Sequence, residues 1–402
     1  MSALPSTQTL TRFHYIARAL ALAAGGWIAA TPRLETKAAL ARTAWQHTLA
    51  GDAFRERVFE LRYPNRFLEE GSDAPLIRVV EAGIDAPDAD AFLEGLAEAL
   101  LADYAQRLRA FLAQSDELDD GPTVRIVRQA LVDVDEQVAA FAPCVRPGPG
   151  TDTWASRLRH ALETLEPPAG TPFHLAEQPA RDDRYFPSSF YWPDAIVPGY
   201  PYGEGVALQV RSAVSHLNEV WAVDTAGAIL HGLAPELGWD WIRDAGRWTY
   251  DEARHMLMGK RRLEAWGLPA ETIPLGGYIY EACAGQDPLY RLGMLGYFET
   301  KNIGRKRERA AAFHAMGDTT SETDMEFDWA DETLHADYGR RWLKDLLERR
   351  GEDAESWPAV LERCEQLVAA RVAEATDEER VRIVAAADRL VADATARAGS
   401  PD

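Results

Sequence analysis

The sequence predicts an all-α protein in which residues 203–350 fold as a four-helix bundle, with a second, N-terminal helical domain before it and further helices after it. Three observations predict this. Long proline-free runs start and stop at recognisable caps, apolar residues recur at helical intervals, and the joins within each half of 203–350 are short.

Residues 1–142 form the N-terminal domain, with helices expected at 7–30, 33–62, 86–115 and 121–141. The segment 143–202 is rich in proline, with 11 of the chain's 23 prolines between 143 and 201, and it carries Tyr185, Phe186, Tyr191 and Trp192. Such a stretch is a linker or wrapping loop, and its aromatics favour packing over the bundle end as a lid. The bundle helices are expected at 203–231, 235–266, 288–316 and 321–350. Gly232 stops the first, and Pro235 opens the second where its missing N–H costs nothing. Gly267 and Pro269 end the second, Asp287-Pro288 cap and open the third, and Gly317 and Gly351 close the third and fourth. Short joins make each pair antiparallel, and 268–287 carries the chain along the bundle so the two hairpins meet with like topology. Within 351–402, amphipathic helices are expected at 356–373 and 376–397.

The bundle carries a repeated pattern of metal-ligating residue types. Glu219 is followed by Glu252-x-x-His255, and Glu299 by Glu332-x-x-His335, with 33 residues from the lone Glu to the next Glu in both halves. A Glu and a His three residues apart project from one helix face about a turn apart. Four antiparallel helices can therefore turn four carboxylates and two imidazoles inward around two metal ions. A single Glu-x-x-His arises by chance in a chain with 64 acidic residues; two, each preceded by Asp and by a Glu at equal distance, do not.

On these residues, segment 203–350 resembles the ferritin-like superfamily, and within it the di-iron carboxylate proteins. Asp251-Glu252-Ala253-Arg254-His255 is similar to the pattern of the oxygen-activating branch, which includes ribonucleotide reductase radical subunits and bacterial multicomponent monooxygenases. Asp331-Glu332-Thr333-Leu334-His335 repeats it with Leu334 in place of Arg. The stretch from Glu332 to Trp342 also resembles a bacterial ferritin-like family of unknown function, distantly related to a tRNA hydroxylase. The resemblance implies that Glu219, Glu252, His255, Glu299, Glu332 and His335 hold two iron ions, with manganese the alternative, and that O2 is the co-substrate. It also implies that Asp251 reaches His335 and Asp331 reaches His255, each accepting the ring N–H and fixing the tautomer.

The residue types suit that chemistry, since four carboxylates neutralise two divalent ions and a carboxylate–imidazole set favours iron or manganese over soft metals. Glu252 and Glu299 are the expected bridges. Residues three or four before a ligand share its face and nominate a pocket: Ser215 and His216, Trp248, Leu295 and Gly296, and Asp328. His216 reads as an extra ligand, a proton donor or a satisfied core histidine; Trp248 as pocket wall or ordinary packing; Tyr338, three past His335, as an oxidisable relay or a core tyrosine. Arg254 is expected first in a surface ion pair, with a structural role near the site as the alternative. In the N-terminal domain, Ala44-Trp45-Gln46-His47 sits where a Glu-x-x-His would, but the Glu is absent, and Glu35, Asp133 and Glu136 do not restore a ligand set. That domain is expected to be a metal-free scaffold or a homodimer surface.

Charge and cysteine usage bound the rest. A net charge of −21 disfavours phosphate backbones, so nucleic acid is not an expected partner, and the basic group Lys301 to Arg309 reads as a solvated face. No run of 18 apolar residues exists, so no membrane partner is expected. Arg18 interrupts the alanine-rich Ala19–Ala30 stretch and its leader has little basic charge, which disfavours export. Cys144, Cys283 and Cys364 are scattered, as suits a reducing cytoplasm. No Gly-x-Gly-x-x-Gly fingerprint or iron–sulfur cysteine cluster is present, so electrons must come from an external reductase or small reductant. The expected function is a cytoplasmic di-iron, O2-dependent oxidoreductase that hydroxylates, N-oxygenates or desaturates a small organic substrate. The alternatives are a manganese catalase or peroxidase, or an iron-handling protein without organic substrate.

Overall fold

The computed structural model describes residues 3–145, 152–200 and 202–398; residues 146–151 and 201 of the proline-rich segment lie outside them. The described residues are all-α apart from two short strands. In chain order the helices are α1 (Ala3–Trp27), α2 (Leu34–Leu61), α3 (Ala74–Glu81), α4 (Ala89–Gly95), α5 (Leu101–Gln114), α6 (Gly121–Phe141), α7 (Trp154–Thr164) and α8 (Pro193–Ile196). They continue with α9 (Gly205–Asn218), α10 (Val220–Gly232), α11 (Ala234–Leu237), α12 (Trp239–Ala265), α13 (Tyr278–Glu281), α14 (Pro288–Met316), α15 (Thr319–Arg349), α16 (Trp357–Val372) and α17 (Asp377–Ala398). Strands β1 (Pro187–Ser188) and β2 (Leu275–Gly276) pair in parallel, Pro187 opposite Leu275.

The long helices of the bundle start where their sequence caps predict. Asp287 accepts from the Leu289 N–H at 2.8 Å with Pro288 beside it, and Asp318 accepts from the Ser321 N–H at 3.0 Å, so both α14 and α15 begin with a filled donor site. Two expected helices are broken. The run from 203 divides at Glu219, whose backbone (φ −66°, ψ 1°) leaves the helical region while its N–H bonds back three residues to His216. The run from 235 divides at Gly238, where φ of 78° lets the chain turn before α12; a residue with a side chain would be strained there.

α9 and α10 pack on α12, α14 packs on α15, and the two pairs meet through α10 with α14 and α12 with α15. Close backbone approach sets how near these helices come. A Cβ added at Gly259 on α12 would stand 2.3 Å from the Leu217 nitrogen and 2.4 Å from the Ala213 oxygen of α9, and one at Gly339 on α15 would stand 2.8 Å from Cα of Gly296 on α14.

The N-terminal helices share one core with the bundle. α1 and α2 pack on each other and on α10 and α12, and a single apolar cluster runs from Leu10 through Trp241 and Leu295 to Ala394. The fully buried Lys37 joins the two parts: its Nζ meets Asp224 Oδ1 on α10 at 2.6 Å, and Arg181 meets the other oxygen at 2.8 Å. Segment 143–202 contains α7 and then wraps the bundle, anchored by the β1–β2 pairing and by Trp192, whose indole N–H donates to the Pro274 carbonyl at 2.9 Å. No described helix is long and apolar enough to cross a membrane.

Gly259→Ala should lower stability by about 1–3 kcal/mol, because the added methyl meets backbone rather than a side chain that can swing away. Chemical denaturation followed by circular dichroism checks it, and a midpoint equal to the parent's would show that α9 and α12 can move apart freely.

Candidate metal centre

Four helices deliver their acidic and imidazole side chains to one buried place. Glu219 comes from the α9–α10 break, Glu252 and His255 from α12, Glu299 from α14, and Asp328, Glu332 and His335 from α15. Two triads have ligand atoms mutually within 4.8 Å: Glu219, His255 and Asp328, and Glu252, Glu299 and His335. Each could hold a metal ion. Glu252 stands between them, with Oε1 at 3.3 Å from Nδ1 of His335 and Oε2 at 3.8 Å from Nδ1 of His255.

The imidazoles show how the site is oriented. Nε2 of His255 lies 3.3 Å from Asp331 and Nε2 of His335 lies 3.4 Å from Asp251, the crossed pairing that the sequence implies. A ring nitrogen facing an aspartate carboxylate is the N–H donor, which leaves a lone pair on each Nδ1. Both Nδ1 atoms are buried and make no hydrogen bond, as does Oε2 of Glu219. Around them stand carboxylate oxygens: Glu219 at 3.3 Å and Asp328 at 3.6 Å from His255, and Glu299 at 3.7 Å from His335. Two donors bound about 2.1 Å from one ion at 90–110° stand about 3.0–3.4 Å apart. The 3.3 Å spacings of Glu219 to His255 and of Glu252 to His335 fall in that range, and those of 3.6 and 3.7 Å lie slightly wider, so the orphaned donors fit a cation between them.

Two arginines hold the outer aspartates. Arg247 Nε donates to Asp251 at 2.6 Å, and Arg254 donates to Asp251 at 2.7 Å and to Asp331 at 2.8 Å. Burial works to raise the Asp251 carboxyl, but the His335 ring N–H and Arg247 overcome it and hold it at about 2. Arg254, expected in a surface ion pair, thus braces the centre. Arg247, four residues before Asp251 on the same face, is the second guanidinium that Leu334 does not supply, and its signal was that spacing.

The site departs from the six-ligand expectation at Glu332. Lys306, on α14 two turns past Glu299, is buried with its ammonium 2.6 and 2.5 Å from the two oxygens of Asp328, and it also pairs with Glu332. Glu332 is therefore tied to a lysine, and Asp328, one turn earlier, faces Glu219 and His255 instead. Burial works to lower the Lys306 amine, yet Asp328 and Glu332 raise it above its ordinary range and keep it charged. The basic group Lys301 to Arg309 is thus not a wholly solvated face: Lys306 and Arg309 point inward, because they lie on the same face of α14 as Glu299.

The remaining nominated residues have defined places. His216 receives Arg262 on Nδ1 at 2.5 Å, so its other nitrogen donates to Asp328 at 3.1 Å. With both nitrogens engaged it is a satisfied core histidine that aims Asp328, and burial together with Arg262 lowers its pKa and keeps it neutral. Trp248 is buried; its indole N–H donates to Glu252 Oε1 at 2.9 Å and its ring stacks on His335 at 5.3 Å. Tyr338 lies behind it, 6.0 Å from the Trp248 ring. Ser215 meets the Tyr191 hydroxyl at 2.9 Å, while Leu295 is core and Gly296 makes the contact with Gly339. In the N-terminal part, His47 is buried beside the Tyr104 ring, Glu35 pairs with Lys260 and Glu136 with Arg42.

Above the two triads opens a cavity of about 540 Å³, floored by Glu219, Glu252, Glu299, Asp328 and Glu332. Tyr191, Tyr200 and Tyr202 of the wrapping segment roof it, and Trp221 and Phe298 wall it. The carboxylates of the floor repel one another. Burial and the charge of Glu299 push the Glu252 carboxyl up to about 8, against the pull of His335.

Residues 203–388, which include every residue of the centre, match a family described as a protein of unknown function (DUF455). Comparison with curated proteins and with solved structures gives no match.

Lys306→Met should destabilise the protein in EDTA by about 3 kcal/mol, since it strips the ammonium from two buried carboxylates. Saturating manganese should then raise the denaturation midpoint of the variant more than that of the parent. Equal losses with and without metal would show that Lys306 does not balance the centre.

Proposed function

We propose that the protein is a di-metal, O2-dependent oxidoreductase of the ferritin-like di-iron type, which oxidises a small organic substrate by hydroxylation, N-oxygenation or desaturation. The observation that carries this reading is the pair of triads whose imidazole lone pairs are buried, unpaired and aimed at shared carboxylates. Oxygen and nitrogen donors alone favour iron or manganese, and Glu252, with one oxygen toward each imidazole, would serve both triads.

His335, Glu252 and Glu299 would hold one ion, and His255, Glu219 and Asp328 the other. When bound, the metal pair supplies the redox chemistry that activates O2, while electrons come from a separate donor. The protein's own residues fix and shield that pair. Asp251 and Asp331 lock the imidazole tautomers, with Arg247 and Arg254 holding the aspartates in turn. Trp248 fixes one oxygen of Glu252, and His216 fixes one oxygen of Asp328. Lys306 presents a permanent ammonium at the cavity floor, where it can hold a proton beside Asp328 and stabilise negative charge. Aromatic side chains wall the reacting volume.

The cavity favours this reading over peroxide removal or iron storage, neither of which needs about 540 Å³ of aromatic-walled space over the ions.

Anaerobic loading with ferrous iron should give two irons per chain, and mixing with O2 in a stopped-flow spectrometer should give a transient visible absorption. Uptake of many irons would indicate storage, and O2 release from peroxide by the manganese form would indicate a catalase. Glu252→Ala should remain helical by circular dichroism and hold less than about half the parent's iron, because both ions lose a shared ligand; an unchanged iron content would sink the assignment.

A further inference from the structure

The cavity over the metal centre has a second charged wall, which the metal-holding residues do not use. Among the described buried cations, Lys37 meets Asp224 at 2.6 Å, Arg211 meets Asp194 at 2.5 Å, Arg262 meets Asp324 at 3.3 Å and Lys306 meets Asp328 at 2.5 Å. Arg291 donates to the Tyr280 carbonyl at 3.0 Å. Arg309 differs from the first four in having no carboxylate and from Arg291 in facing the cavity. It is 9% exposed and lines the cavity, its Nε makes no hydrogen bond, and its guanidinium lies 5.5 Å from the centroid of the Tyr202 ring with no carboxylate paired to it among the described residues.

A guanidinium taken out of water without an anion is costly, and in a chain of net charge −21 a carboxylate partner is easy to supply. The unmatched charge is turned instead toward a space that solutes can enter. Arg305, one turn away and exposed, adds a second cation at the same wall, with its guanidinium 4.8 Å from the Tyr200 centroid. The same cavity is also lined by aromatic side chains: Phe190, Tyr191, Trp221 and Phe298. The volume, about 540 Å³, suits an organic molecule of one or two rings.

Resting on the oxidoreductase reading above, we infer that the substrate is an organic molecule with an apolar, ring-sized body and one oxyanion head, carboxylate or phosphate, that Arg309 receives. The head docks on α14 beyond Lys306, and the body lies along Trp221 and Phe298, so the end remote from the head is presented to Glu219 and Glu252. Arg309 is thus a binding and specificity residue. A bidentate guanidinium suits either head, which leaves the choice between them to experiment.

Fluorescence titration of the full-length, manganese-loaded protein with 2-naphthoate, 2-naphthyl phosphate and the neutral 2-naphthamide tests this. At least one anion should bind more than about tenfold tighter than the amide, and Arg309→Met should remove that advantage while leaving amide affinity and metal content unchanged. The tighter of the two anions identifies the head. Equal affinities of anions and amide for the parent protein would overturn the inference with no variant needed, as would an Arg309→Met protein that binds the anions undiminished. Metal content, measured separately on the same samples, tells the two readings apart. Two metals with anion binding indifferent to Arg309 sinks the substrate class alone, whereas a parent protein that takes up no metal sinks the metal centre.

Discussion

Buried negative charge is the constraint on which the rest of the structure depends. Glu219, Glu252, Glu299, Asp328 and Glu332 converge in a space largely closed to water, where carboxylates repel one another and lose their hydration. Among the described residues Lys306 is the one ammonium placed between them. Five carboxylates less one lysine leave four negative charges, which is the charge of two divalent ions. The same balance comes from four carboxylates without a lysine, so Asp328 and Lys306 enter the centre as a self-cancelling pair. What the pair changes is placement: an ammonium now stands at the cavity floor, and Glu332 is drawn away from the imidazoles toward it.

Holding such a cluster requires stiff walls, and the chain obtains them through close backbone contact. Gly259 lets α12 lie against α9, and Gly296 and Gly339 let α14 and α15 touch. The α9–α10 break at Glu219 adds a second device, since leaving the helical region there moves this carboxylate off the regular helix face that the other ligands use. Outside the centre, arginines complete the frame: Arg247 and Arg254 bind the two aspartates that orient the imidazoles, and Arg262 holds the histidine that aims Asp328. The two imidazoles and Asp328 are therefore each fixed by a partner which is itself fixed, as a preorganised site needs.

Much of this was legible in the sequence because helical periodicity and capping are local. The all-α class, the extents of α14 and α15 and the inward face bearing the Glu and His residues follow from spacing alone. The crossed aspartate–histidine pairs followed from resemblance, and Asp328 was found as a face-sharing residue, though not as a partner of His255. What spacing could not show were relations between helices. Lys306 read as surface because it lies in a short basic run among acidic residues; its spacing of seven from Glu299 puts it on that helix face, but only the packing of α14 on α15 brings it against Asp328 and Glu332. Nor did periodicity register the breaks at Glu219 and Gly238, each of which costs a single helical residue. The joining of the N-terminal helices to the bundle was equally invisible, since it runs through Lys37 and Asp224, 187 residues apart.

That joining explains why a four-helix centre sits in a chain of 402 residues. A bundle with polar ligands inside has little apolar core of its own on the faces where they converge. Here α1 and α2 cover α10 and α12 from one side, extending the apolar cluster well beyond the bundle. The wrapping segment covers another side, but with tyrosines rather than aliphatic residues, and it leaves a cavity beneath them instead of a packed core. Dense packing behind the ligands and open aromatic packing in front give the centre one face of access. On that face the cationic Arg309 and the carboxylates of the floor line one cavity, so a molecule that enters meets both signs of charge within a single aromatic-walled space.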